Sequence, residues 1–110
     1  MTEEKNIYHP FILSAYKDSY SLLLTNLRWD LFEEKNYLGN GYDWTRIVRK
    51  MINEKSIELM EDIEFDSEAD MFCVMSKKLH SLVKIVDMVV EFFDDDEKLR
   101  KVIDEYADYE

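Results

Sequence analysis

Positive charge is scarce in this chain. Its 110 residues hold 14 Lys and Arg against 25 Asp and Glu, a formal charge of −11. A field of that sign repels phosphate backbones, which excludes nucleic acid as a non-specific partner and favours a basic one. Proline and glycine are also sparse, at one and two. Too few turn-formers remain for a sandwich or barrel of many short strands. Cys73 is the sole cysteine, so no internal disulfide can form, which fits a reducing compartment. No uncharged run approaches the roughly 20 residues of a membrane-spanning helix. The start, Met1-Thr2-Glu3-Glu4, is acidic with no apolar stretch behind it, unlike a secretory signal. The expectation is a soluble, cytoplasmic protein with no membrane partner.

Groupings that carry chemistry are missing too. His9 and His80 are the only histidines, and neither has a second metal ligand at a recognised spacing. Both read as surface or partly packed side chains. Cys73 lies among apolar neighbours, the setting of a buried, inert thiol. The chain contains no G-x-S-x-G, no phosphate-cradling glycine loop and no H-E-x-x-H, which removes several enzyme classes. Six acids from Glu61 to Asp70 occur without one base. A calcium loop needs a glycine at its turn, and this stretch has none. No enzymatic activity, metal or cofactor is expected. The acidic run reads as a solvated edge or as a partner-binding patch.

What is present is material for a core. Apolar residues make up 46% of the chain, and 15 residues are Phe, Trp or Tyr. That suits one domain spanning residues 1–110, with a flexible polar lead-in over 1–8. From Phe11 the pattern has period two: Phe11, Leu13 and Ala15 on one face, Ile12, Ser14 and Tyr16 on the other. It resumes at Tyr20, Leu22 and Leu24 after the polar break Lys17-Asp18-Ser19. Two such runs predict a hairpin. Residues 26–38 fit neither period and read as a short helix or irregular segment. Gly39-Asn40-Gly41 is the sharpest punctuation, followed by Asp43 as a helix cap. A helical stripe follows: Trp44, Ile47, Val48, Met51, Ile52, then Leu59 and Met60. Its other face, with Arg46, Arg49, Lys50 and Lys55, is locally basic.

Ile63 and Phe65 predict a short strand, 66–70 a turn, and Met71 to Ser76 a second strand. A long helix carries Leu79, Leu82, Val83, Val86, Val89, Val90 and Phe93, widened by Ile85, Met88 and Phe92. Asp94 with Glu97 matches a reciprocal capping pattern ahead of a last helix marked by Leu99, Val102, Ile103 and Tyr106. The order is hairpin, helix, hairpin, helix, helix. It predicts an α+β fold: an antiparallel sheet of about four strands, in two hairpins, with about three helices packed on one face.

Two segments carry a resemblance. Gly39-Asn40-Gly41-Tyr42-Asp43-Trp44 matches a G-N-G-Y-x-W pattern, and Phe65-Asp66-Ser67-Glu68-Ala69-Asp70-Met71-Phe72 matches F-D-x-E-A-x-M-F. With this order and gap, the chain from about residue 10 to 106 resembles the immunity protein 51 family of bacterial polymorphic toxin systems. The resemblance implies a small cytoplasmic antitoxin, whose partner is the toxic C-terminal domain of a secreted or contact-delivered toxin, as in contact-dependent inhibition. Nucleases are common among such toxins, and an acidic protein is suited to covering a basic nuclease site.

Within the motifs, Gly39, Asn40, Gly41, Asp43, Trp44, Phe65, Met71 and Phe72 read as structural: turn, cap, core and sheet positions. The residues expected to meet a toxin are Tyr42, Asp62, Glu64, Asp66, Glu68 and Asp70, with Asp94, Asp95, Asp96 and Glu97 as a rival patch. An acidic mimic of nucleic acid that inhibits another enzyme, or another non-enzymatic interaction domain, is the alternative to the antitoxin. The sequence leaves the oligomeric state open.

Overall fold

The computed structural model describes residues 7–108. Most of the expected lead-in lies outside them. Of its described part, Tyr8 packs against the core, and its carbonyl accepts the Phe11 N–H at 2.8 Å.

Both hairpins form. β1 (Ile12–Tyr16) and β2 (Ser19–Leu24) pair antiparallel across the two-residue turn Lys17-Asp18. β3 (Ile63–Phe65) and β4 (Phe72–Ser76) make the second pair. They join through β2 and β4 into one four-stranded sheet of order β1-β2-β4-β3. Registers such as Leu13↔Leu22, Leu22↔Val74 and Phe65↔Val74 align one apolar row across all four strands. Strict alternation then sends that row to the core and its neighbours to the opposite face. Leu22, Leu24, Phe72 and Val74 are core residues, with Leu13, Tyr20, Ile63 and Phe65 packed against them. On the opposite face Ile12, Ser14, Tyr16 and Glu64 are exposed.

The helices are α1 (Trp29–Glu33), α2 (Gly41–Lys55), α3 (Leu79–Phe93) and α4 (Asp96–Tyr106). The unclear stretch 26–38 thus contains one short helix, and its Leu31 and Phe32 are buried. α2 begins two residues before the expected cap. Asn40, in extended conformation, is the N-cap: its side chain accepts the Asp43 N–H at 2.9 Å, and Asp43 sits in the first turn and answers the Asn40 N–H. The reciprocal pair is a capping box with Asp in the third position. α2 also ends sooner than the stripe suggests. Ser56 breaks it, and Leu59 and Met60 belong to a separate 3-10 turn at Ile57–Glu61.

α3 is rotated relative to the expected stripe. Leu82, Ile85, Val86, Val89, Phe92 and Phe93 are buried, whereas Val83 and Val90 face outward. α4 is capped by Asp95, which accepts the Lys98 N–H at 3.1 Å, one residue later than the expected Asp94. Asp94 instead holds the His9 ring nitrogen at 2.8 Å. No helix among the described residues is long and apolar enough to cross a membrane.

Candidate interaction surface

The two sequence motifs close on each other. Gly39 takes a left-handed φ of +71°, and a Cβ there would lie 2.8 Å from the Trp29 Cα. Gly41 has a different reason to lack a side chain. A Cβ would lie 2.1 Å from the Glu68 carbonyl oxygen and 2.3 Å from that of Met71, so helix α2 starts in backbone contact with the 66–71 loop. The Gly41 N–H donates to the Ala69 carbonyl at 3.0 Å. One turn on, the Thr45 and Ser67 hydroxyls hydrogen-bond at 2.6 Å. Ser67 Oγ also accepts the Cys73 N–H at 3.0 Å, and the Glu68 N–H donates to the Met71 carbonyl at 2.8 Å. The acidic loop is thereby pinned at Ser67, Glu68 and Ala69 rather than left free.

Beneath this junction lies the core. Asp43 is buried, and its carboxylate accepts the Gly39 N–H at 2.7 Å and pairs with Arg46. Trp44 is fully buried; its indole N–H donates to the Leu27 carbonyl at 2.8 Å, and its ring meets Phe32, Phe92 and Phe93. Phe72 is fully buried and Phe65 packs on it edge-on. Met71 lies just outside β4, in an isolated bridge with Glu68.

In the first motif the residue that faces outward is Tyr42, half exposed. Beside it the loop presents Glu68 and Asp70, and Asp66 and Glu64 continue the exposed acids into β3. Among the described residues no ion pair engages Glu64, Asp66, Glu68 or Asp70. Asp62 differs: Lys78 pairs with it at 3.2 Å and the Ser81 hydroxyl donates at 3.2 Å. The Lys78 hydrogen bond, reinforced by Ser81, holds its carboxyl below the ordinary value of 3.8. Asp62 ties the start of β3 to the start of α3.

The rival acidic cluster is largely committed within the molecule. Asp94 holds His9, Asp95 caps α4 and Asp96 pairs with Arg28. Cys73 is buried, and burial with the nearby Asp66 and Glu68 charges pushes its thiol above the ordinary value of 9.0. A thiol held protonated is a poor nucleophile. Among the described residues no group of three or more His, Cys, Asp or Glu is placed to hold a metal.

Two exposed apolar residues at the Gly39 contact escaped the sequence reading. Trp29 is 59% exposed and Leu38 is 75% exposed. The close approach of Gly39 to Trp29 sets these residues side by side with the start of α2. The available signal was negative: Trp29 fits no period, and Leu38 stands alone before the glycines.

The family model described as Immunity protein 51 matches residues 11–108. The chain belongs to this family. Comparison with curated proteins and with solved structures gives no match. Membership makes this an immunity protein of toxin systems. Both motifs fall within the matched span, and their contact at Gly41 gives them a joint structural purpose.

Proposed function

We propose that this immunity protein acts as a cytoplasmic antitoxin. It binds the toxic C-terminal domain of a polymorphic, contact-delivered toxin and blocks it in a stoichiometric complex, with no turnover of its own. The observation that carries the reading is the pinned loop against the start of α2, which leaves Glu68 and Asp70 exposed with no ion pair among the described residues, on a chain of the immunity family. Like charges held this close repel, and an opposing basic surface relieves that cost. A nuclease domain supplies such a surface, because its active site must attract phosphate. Covering it with an acidic protein excludes the substrate and speeds association.

The test is co-expression with the toxin domain encoded beside this gene. The toxin alone should arrest growth, and this chain should restore it and co-purify with the toxin. Charge reversal at Glu64, Asp66 and Glu68 should weaken the complex, more at low salt than at high salt. Continued growth arrest with no complex would reject the antitoxin reading. Intact affinity in the reversed variant would move the contact away from this loop.

A further inference from the structure

The acids explain attraction but not tight holding. Exposed charge pairs contribute little net free energy, because solvent and salt screen them. Tight interfaces draw most of their affinity from a few desolvated aromatic and aliphatic anchors, with Trp and Tyr foremost. Three exposed apolar residues lie at or beside the Gly39 contact in the chain: Trp29, which Gly39 approaches, and Leu38 and Tyr42 on either side of the Gly39–Gly41 segment. Their grouping is built, not incidental. Gly39 holds the 38–42 segment against the Trp29 backbone, and Gly41 holds it against the Glu68–Met71 loop. These two backbone contacts tie the Trp29, Leu38 and Tyr42 positions and the acidic loop into one ledge.

Trp29 is also turned outward by its neighbour. Arg28 takes a left-handed φ of 51°, and its guanidinium bonds the Phe93 carbonyl and Asp96 while stacking over the Phe93 ring. That anchor fixes the entry to α1 and leaves Trp29 on the solvent side.

We propose that Trp29, Leu38 and Tyr42 are the energetic centre of the toxin contact. They fit an apolar depression on a toxin surface edged by lysine and arginine, with Glu68 and Asp70 meeting that basic edge. The proposal rests on the antitoxin reading and divides the labour within it. The apolar trio sets how slowly the complex comes apart, and the acidic loop sets how fast it forms.

Binding kinetics separate the two roles. The probe is the toxin domain encoded beside this gene, inactivated in its own active site and immobilised. Trp29→Ala and Tyr42→Ala should each raise the dissociation rate about 10- to 100-fold, with association changed less than about threefold. Leu38→Glu, at the most exposed of the three, should do the same without threatening the fold. The double variant Glu68→Gln with Asp70→Asn should slow association several-fold at low salt, an effect that fades at high salt, with dissociation nearly unchanged. Wild-type dissociation rates in the folded Leu38→Glu and Trp29→Ala variants would overturn the proposal while leaving the antitoxin reading intact. Absence of binding by the unaltered chain would overturn both.

Discussion

Gly41 joins the two motifs more directly than any other residue. Its N–H bonds Ala69, and no room exists for even one more carbon. Gly41→Ala must push the 68–71 backbone away, an overpacking cost of about 1–3 kcal/mol or more. The expected outcome is a clear loss of stability in urea unfolding, and a wild-type midpoint would show that the contact is looser than described. Asp62 acts at the same scale. Its carboxyl is held below the ordinary 3.8 by Lys78 and Ser81, so its contribution is complete above that value and is lost as pH falls through the lower folded value. Stability should therefore drop on the acid side, and Asp62→Asn should flatten that limb of the pH–stability curve. An unchanged limb would remove Asp62 from the account. The roles of these residues were only partly legible. Turn-forming glycines were evident, but backbone contact between residues 41 and 68 is a tertiary fact that no local pattern encodes. An acidic residue also looks the same in sequence whether Lys78 occupies it or nothing does.

Secondary elements were easier to read than their ends. Period two in 11–24 and 63–76 and period 3.6 in 44–52, 79–93 and 99–106 name the four strands and the three long helices, because one buried face imposes them. The ends depend on which of several competent side chains caps. Asn40 and Asp43 both suit an N-cap, as do Asp94 and Asp95, and geometry selects Asn40 and Asp95. α3 shows a second limit. Apolar residues cover more than half its circumference, so the pattern cannot say which flank faces water. The core takes Ile85 and Phe92 and leaves Val83 and Val90 outside. Val83→Lys and Val90→Lys should each change stability by less than about 0.5 kcal/mol. Ile85→Ala, at a fully buried position, should cost about 2–5 kcal/mol. Comparable losses at Val83 and Ile85 in chemical denaturation would refute the rotation.

At the scale of the molecule, one topological feature organises the rest. The sheet order β1-β2-β4-β3 places β3, with its exposed Glu64, at an edge, and α2 begins against the acidic loop that follows it. Ser67 and Ala69 tie loop to helix. The ledge of Trp29, Leu38, Tyr42, Glu68 and Asp70 is a product of that junction. Composition raised the expectation of a basic partner, and the motifs indicated the family. The apolar side of the ledge was hidden because Trp29 and Leu38 become neighbours only when Gly39 closes on α1. The central claim is that this protein neutralises by blockade. It is tested most directly by titrating it against a fixed amount of the active toxin domain encoded beside its gene, and following the toxin's own activity. Blockade predicts that activity falls linearly and ends at an equimolar ratio. Complete loss at a small fraction of that ratio, or full activity in molar excess, would contradict it.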